Sequence, residues 1–306
     1  MSFAYELKKE ICSNRTLTAR HKTAQAYGLL MFSKYFSADA IAIHTEHHEV
    51  AMLYEKLLLQ LVNIRPEFTV KHHLKTNTEK YVVSVPNSTQ RLQILDFFGI
   101  KYGQELTVKY SNFTRDGDKN AFLSGVFLAC GNVTDPEKGY HFEFLVNSEL
   151  LAEALQNFLI ELGSEPKLTQ RRGQQIVYFK DSTQIEDIIT MIGATQATLS
   201  LMDTKIVKEL RNNINRVTNC ETANIEKTAT AATNQIHQIA YIIEAGEFDS
   251  LSPELKEIAL LRMENPEMSL QELGAELSTP LSRSGVNHRL QKLCKIAAEI
   301  RSEDLQ

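Results

Sequence analysis

The feature that most constrains this chain is that part of it is present twice. "PNSTQRLQILDFFGI" (Pro86 to Ile100) and "KDSTQIEDIITMIGA" (Lys180 to Ala194) share an S-T-Q core and an apolar spacing that ends in Gly99 and Gly193. Each opens like a helix, with Asn87 or Asp181 as N-cap and Gln90 or Gln184 three residues on completing a capping box. At a similar offset upstream, "VAMLYEKLLLQLVNI" (Val50 to Ile64) aligns with "ELLAEALQNFLIELG" (Glu149 to Gly163), both amphipathic helices by period. Between them lie alternating stretches, "TVKHHLK" and "KYVVSVP" in one copy and "PKLTQRR" and "QQIVYFK" in the other, which read as hairpin strands. Two copies of helix, strand, helix, hairpin and helix follow, so the fold class is α+β.

The opening helix of each copy carries the sharpest signal. "LSGVFLACG" (Leu123 to Gly131) stands in the second copy where "AYGLLMFSK" (Ala26 to Lys34) stands in the first, and Gly28 and Gly125 fall at the same place. A glycine inside an amphipathic helix costs about 1 kcal/mol against alanine. Its repetition predicts a packing role, namely close approach of two helix backbones across a pseudo-two-fold axis. Taken alone, such a helix is ordinary core; the duplication is what distinguishes it. The segment resembles the LAGLIDADG nonapeptide of DNA endonucleases at the leucine, first glycine, alanine and last glycine. In that family two such helices pack at the two-fold, and an acid before the last glycine of each holds the catalytic divalent metal. Those positions here are Ser33 and Cys130. A hard cation such as Mg²⁺ takes oxygen ligands that bring negative charge, which a serine and a thiol do not supply. The expectation is a nuclease-like architecture without nuclease chemistry. The competing reading is a metal-dependent endonuclease that uses Asp135, Glu137 or another carboxylate outside the motif.

Composition narrows the rest. The net charge is −5, and neither residues 1–200 nor 201–306 are basic in bulk, so any nucleic-acid role must rest on a local patch. "MSFAYELKKEICSNR" has no apolar signal region and no run approaches a membrane span, so a cytoplasmic protein, associated with the nucleoid, is expected. Cys12, Cys130, Cys220 and Cys294 have no zinc-ligand spacing and read as reduced thiols. "HTEHH" (His44 to His48) and the pair His72 and His73 read as exposed strand histidines, with His44 and His47 on opposite faces. "QRRGQQ" reads as a hairpin turn at Gly173, with Arg171 and Arg172 as either phosphate contacts of a saddle-shaped sheet or solvated charges. No metal site and no cofactor are expected.

After the second copy, some forty residues run without proline or glycine and read as one or two connector helices. Within them "RNNINRVTNCETANIEK" spaces Arg211, Arg216 and Lys227 with amides. Such a segment can lie along a phosphate backbone, or it can be a solvated helix face or an asparagine-turned loop. Ser252 and Pro253 then start a helix that Pro266 ends; Ser269 caps "LQELGAEL", and a last helix runs from Ser282. Three short helices with a tight turn before the last form a helix-turn-helix pattern. Leu270, Leu273 and Leu277 face Val286, Leu290 and Leu293 at helical spacing.

Charge segregates along this module. Between Glu276 and Glu299 there is no acid, while Arg283, Arg289, Lys292, Lys295 and His288 lie in that interval. A recognition helix is expected to carry such a pattern, its N-terminal residues in the major groove and its flanks on phosphates. Ser282, Arg283, Ser284, Asn287 and His288 are the candidates for base edges; Arg289, Lys292 and Lys295, with Arg211 and Arg216 on the connector, are the candidates for phosphates. Some helix-turn-helix modules bind protein instead, and a basic helix can also face solvent.

A duplicated nuclease-like domain, a helical connector and a C-terminal helix-turn-helix together resemble the WhiA family of bacterial regulators over almost the whole chain. "FLSGVFLACGNVTDPEKGYHFEF", "RNNINRVTNCETANIEKT" and "ENPEMSLQELGAELSTPLSRSGVNHRLQKL" carry the resemblance most specifically. It implies a first LAGLIDADG-like half over 1–105, a second over 106–200, a connector over 201–248 and a helix-turn-helix domain over 249–306. It also implies a non-enzymatic DNA-binding regulator of transcription, tied to cell division and chromosome segregation and to sporulation in filamentous relatives. Double-stranded DNA is the expected partner, with the transcription machinery or another regulator as further partners. The duplication supplies the two-fold that nuclease homodimers need, so a monomer suffices. An adaptor whose helix-turn-helix docks on the transcription machinery is the remaining alternative.

Overall fold

The computed structural model describes residues 2–73, 78–101, 103, 105–113 and 115–303. Helix α1 (Phe3–Ser13) precedes the first copy, which consists of α2 (Ala19–Met31), β1 (Tyr35–Phe36), β2 (Ile41–Thr45), α3 (His48–Val62), β3 (Glu67–His73), β4 (Thr78–Ser84) and α4 (Ser88–Phe97). The second copy repeats the order: α5 (Asp116–Cys130), β5 (Gly131–Val133), β6 (Phe142–Val146), α6 (Glu149–Glu161), β7 (Lys167–Arg171), β8 (Gln174–Phe179) and α7 (Ser182–Met191). The two antiparallel sheets have equivalent strand orders, β1-β2-β4-β3 and β5-β6-β8-β7. Each copy therefore has one strand more than the periodicity predicts. β1 and β5 are too short for a period of two to register in the sequence.

Local chemistry fixes the repeated ends. Asn87 Oδ1 accepts from the Gln90 N–H at 3.1 Å and Asp181 Oδ1 from the Gln184 N–H at 3.0 Å, which makes both residues N-caps. The reciprocal half of the expected box is made in neither copy among the described residues; in the second, Gln184 Oε1 instead accepts from the Glu165 N–H at 3.0 Å and ties α7 to the strand entry. The β7–β8 turn places Arg172 and Gly173 at φ 52° and 78°, the left-handed pair that a two-residue hairpin requires. The histidine cluster departs from expectation. His44 is on β2, but His47 precedes α3 and His48 is its first residue, since the chain leaves the sheet at Thr45. Leu74 and Lys75 of the predicted strand, and the side chain of His73, lie outside the described residues.

The core of the duplicated region is organised by α2 and α5. Gly28 lies against the Phe122 carbonyl and Gly125 against the Gln25 carbonyl, so each glycine faces the other helix's backbone. Between them Gln25 Nε2 donates to Ser124 Oγ at 3.0 Å in a fully buried contact. Near the N-terminal ends of the pair, buried Asp118 on α5 meets Arg20 of α2 at 2.5 Å. Phe113, Phe122 and Phe158 with Tyr27 form an aromatic cluster at the seam of the copies, Phe113 and Phe122 stacked at 4.2 Å.

Downstream, the connector is one helix. α8 (Thr195–Glu244) runs 50 residues, beginning inside the stretch read as the end of the second copy. The absence of helix breakers extends to its first turn, where the Glu10 carboxylate accepts from the Gln196 and Ala197 N–H groups at 2.7 and 3.0 Å. That acid from α1 satisfies donors every helix start leaves open. The chain divides into two compact units, Met1–Lys208 and Glu209–Gln306, with the division inside α8. In the second unit α9 (Pro253–Glu264), α10 (Leu270–Glu276) and α11 (Arg283–Glu303) pack on the end of α8. Ile239 and Ile242 of α8 join Leu255, Ile258, Leu273, Leu277, Val286, Leu290, Leu293 and Ala297 in its core; Leu270 packs at the edge. Ser269 and Glu272 form a full capping box on α10, with bonds of 3.3 and 2.8 Å, and the two Ser269 donors hold the Glu272 carboxyl below its ordinary range.

Candidate nucleic-acid interface

At the ends of α2 and α5, the two positions aligned with the nuclease acids are occupied with their own helices. The Ser33 hydroxyl, buried just beyond α2, donates to the Leu29 carbonyl at 2.6 Å. The Cys130 thiol, last residue of α5, lies 3.4 Å from the Val126 carbonyl, and burial pushes it up to about 12. Beside it Lys8 of α1 is 9% exposed and lines the same 340 Å³ cavity as Lys34, Asn147 and Gln174. Burial lowers the Lys8 ammonium to about 8, and its Nζ stands 5.5 Å from the Phe127 ring centre. A divalent cation entering here meets an ammonium where ligand charge is needed. Asp135 and Glu137 sit in the turn after β5, where Asp135 Oδ1 accepts from the Glu137 N–H at 3.0 Å, and no metal-binding cluster of His, Cys, Asp and Glu occurs among the described residues.

In the second unit, Ser282 caps the start of α11: its Oγ accepts from the Gly285 N–H at 3.3 Å. Its buried stripe, Val286, Leu290, Leu293 and Ala297, determines what the other faces present. Ser284, His288, Lys292 and Lys295 are exposed on the opposite face, with Ser282 at the helix entry. Arg283 and Asn287 flank the buried stripe on one side and line a cleft of about 530 Å³. Arg289 is half-buried on the other flank, near Glu257, whose carboxyl is held low by the Ser278 N–H and hydroxyl and, to a lesser extent, by Arg289. The ten residues singled out in the sequence are thus not one surface. Arg211 and Arg216 are exposed on α8 and line no part of the cleft. The connector residues that do line it include Asn224, Lys227 and Gln235.

Arg262 of α9 was not singled out by sequence reasoning. It is 1% exposed, and its Nη1 donates to the Met268 carbonyl at 2.7 Å and the Pro266 carbonyl at 3.4 Å, which pins the α9–α10 loop. A lone arginine in "ALLRMEN" reads as an ordinary helix-end charge. Only the fold shows it turned inward.

The geometry defines a class: a duplicated LAGLIDADG-type scaffold, with a glycine-mediated helix pair and no acid at either helix end, joined to a helix-turn-helix module. A family profile described as the WhiA LAGLIDADG-like domain matches residues 41–110 and 119–211, and one described as the WhiA C-terminal HTH domain matches residues 214–297. The chain belongs to the WhiA family. It is 37% identical to the "Probable cell division protein WhiA" of Clostridium novyi (strain NT), over 99% of each chain. Its identity to the protein of the same description from Caldicellulosiruptor saccharolyticus is 38%, over 98% of this chain and 96% of that one. The fold matches full-length DUF199/WhiA from Thermatoga maritima with a TM-score of 0.60 at 21% identity, covering 98% of this chain and 99% of the other.

Proposed function

We propose that this chain is a non-enzymatic regulator of transcription that binds double-stranded DNA through α11 and acts in cell division and chromosome segregation. The observation that carries the reading is the exposed face of α11, where Ser284, His288, Lys292 and Lys295 are presented on an acid-free stretch from Leu277 to Ala298. The N-terminal part of such a helix reaches base edges while lysines further along meet phosphates. The role in division is supported by relatives described as probable cell division proteins. The absence of enzymatic activity is supported by Ser33 and Cys130 being bonded into their own helices, with Lys8 beside Cys130. The LAGLIDADG-like unit then serves as a scaffold.

The test is retention of genomic duplex fragments by the full chain, with Mg²⁺ in parallel reactions scored for plasmid nicking. Replacing Ser284 and His288 by alanine is expected to relax sequence preference, whereas Lys292→Ala weakens binding to all duplexes alike and lowers the salt dependence. Mg²⁺-dependent nicking that survives repurification, or duplex binding indifferent to all three substitutions, refutes the proposal.

A further inference from the structure

The cleft beside Arg283 and Asn287 has a charge and hydrogen-bonding pattern that α11 alone does not account for. Three helices each contribute a cation to its wall, Lys227 from α8, Arg262 from α9 and Arg283 from α11, and no carboxylate among the described residues lines it. Neither Lys227 nor Arg283 is ion-paired among the described residues. Asn224, Gln235 and Asn287 add amides to the same wall. Two of these lining residues each have a buried polar atom with no hydrogen-bond partner among the described residues, Arg262 Nε and Gln235 Oε1. An orphaned guanidinium N–H costs free energy unless an acceptor reaches it, and a half-turn of the Gln235 amide exchanges its acceptor for donors.

We infer that this cleft is a phosphate-binding site that clamps the DNA backbone between the connector helix and the start of α11. The occupant is a phosphodiester of the bound duplex. Two of the lining residues belong to the helix assigned above to reading DNA, so an anion held here is continuous with that surface. This inference rests on the proposed function and extends it: the asparagine-rich connector becomes the second jaw of the interface, and Arg283 and Asn287 contact backbone and not base edges. Arg262 acts as the floor, since it is tied to the α9–α10 loop by two carbonyls.

The experiment uses the full chain and a 30-bp duplex chosen from genomic fragments it retains, with single neutral methylphosphonates placed at each backbone position in turn. Wild type is expected to lose about tenfold in affinity at one or two positions. Lys227→Gln, at an exposed position of α8, is expected to lose a similar factor on the unmodified duplex, to be insensitive to those same methylphosphonates, and to lower the salt slope by about 0.9. If Lys227→Gln binds and responds to every methylphosphonate as wild type does, the clamp is wrong; if Lys292→Ala still weakens binding in that case, the reading of α11 stands. If neither variant changes binding, both fail. Inorganic phosphate and ATP are titrated without DNA in parallel. Saturable binding of either that Lys227→Gln abolishes, with DNA affinity unchanged, assigns the cleft to a soluble phosphate and overturns the proposal.

Discussion

Replacing Gly125 by alanine tests the central packing claim with a single methyl group. An ideal Cβ at this position lies 2.8 Å from the Leu29 N and nearer still to the Gln25 carbonyl oxygen. Both atoms are helix backbone, so no side chain can swing away. To regain ordinary contact α2 and α5 must part by about an ångström, a gap that forfeits a quarter to a half of the dispersion energy of each facing atom pair. A buried side chain makes tens of such contacts at roughly 0.1–0.2 kcal/mol each. With two or three side chains losing a quarter of theirs, the cost is on the order of 3–5 kcal/mol, set against a total stability of about 5–15 kcal/mol for a domain. At roughly 2–4 °C per kcal/mol for a unit of this size, the melting temperature should fall by about 10 °C. Gly28→Ala makes the mirror-image demand, with Val126 N at 3.0 Å and the Phe122 carbonyl nearer. One separation relieves both, so the double variant should cost less than the sum of the two. The assay is thermal unfolding of the full chain together with hydrogen exchange of the α2 and α5 amides, which isolates this unit from the helix-turn-helix. An unchanged melting temperature with unchanged protection in Gly125→Ala would falsify the reasoning, and strict additivity in the double variant would show that the glycines do not share one contact.

Three further outcomes follow from the charges, thiols and caps. Lys8→Met should stabilise the fold on the order of 3 kcal/mol below pH 8, because the unfolded chain keeps this proton up to its ordinary 10.5 while the buried ammonium releases it near 8. Wild-type stability therefore rises between those values and the difference from Lys8→Met closes; urea midpoints at pH 7 and pH 10.5 that differ equally between the two proteins contradict this. Cys220 is exposed, whereas burial pushes Cys12 and Cys130 up to about 12, so at pH 8 a disulfide reagent should label Cys220 at once and the other two only on unfolding, with mass spectrometry identifying the sites. Ser269→Ala removes one arm of the α10 capping box and should cost about 1 kcal/mol, seen as faster exchange of the first α10 amides; protection equal to wild type would mean that tertiary packing alone holds the turn.

The duplication was legible because a repeated fold repeats its punctuation: Asn87 and Asp181 at the same helix start, Gly28 and Gly125 at the same helix contact. The helix-turn-helix was legible for a related reason, since Ser252, Ser269 and Ser282 mark three helix starts and leucines at helical spacing mark the shared core. What the sequence concealed depends on neighbours distant along the chain. Nothing in "AYELKKEI" announces that Lys8 comes to rest beside Cys130, or that Glu10 caps a helix that begins at Thr195. The capping-box partner Gln184 was misread because a glutamine competes for several donors and the Glu165 N–H won. Arg262 was missed for the same kind of reason, because a helix period assigns a face to a residue and does not say that a loop carbonyl will fold over it. His47 was misassigned because a strand of five residues ends without a glycine or proline to mark the exit.

Fusing the two copies into one chain also changes what evolution can do with them. In a homodimer of a single copy every substitution appears twice, and whatever stands at one helix end stands at the other. Here the ends have drifted apart, a hydroxyl at Ser33 and a thiol at Cys130, and the lone N-terminal helix supplies a lysine beside Cys130. The helix contact at Gly28 and Gly125 keeps its symmetry because each glycine is required by the other's backbone. Covalent linkage thus leaves the hinge of the scaffold under paired constraint while releasing its two rims to diverge independently.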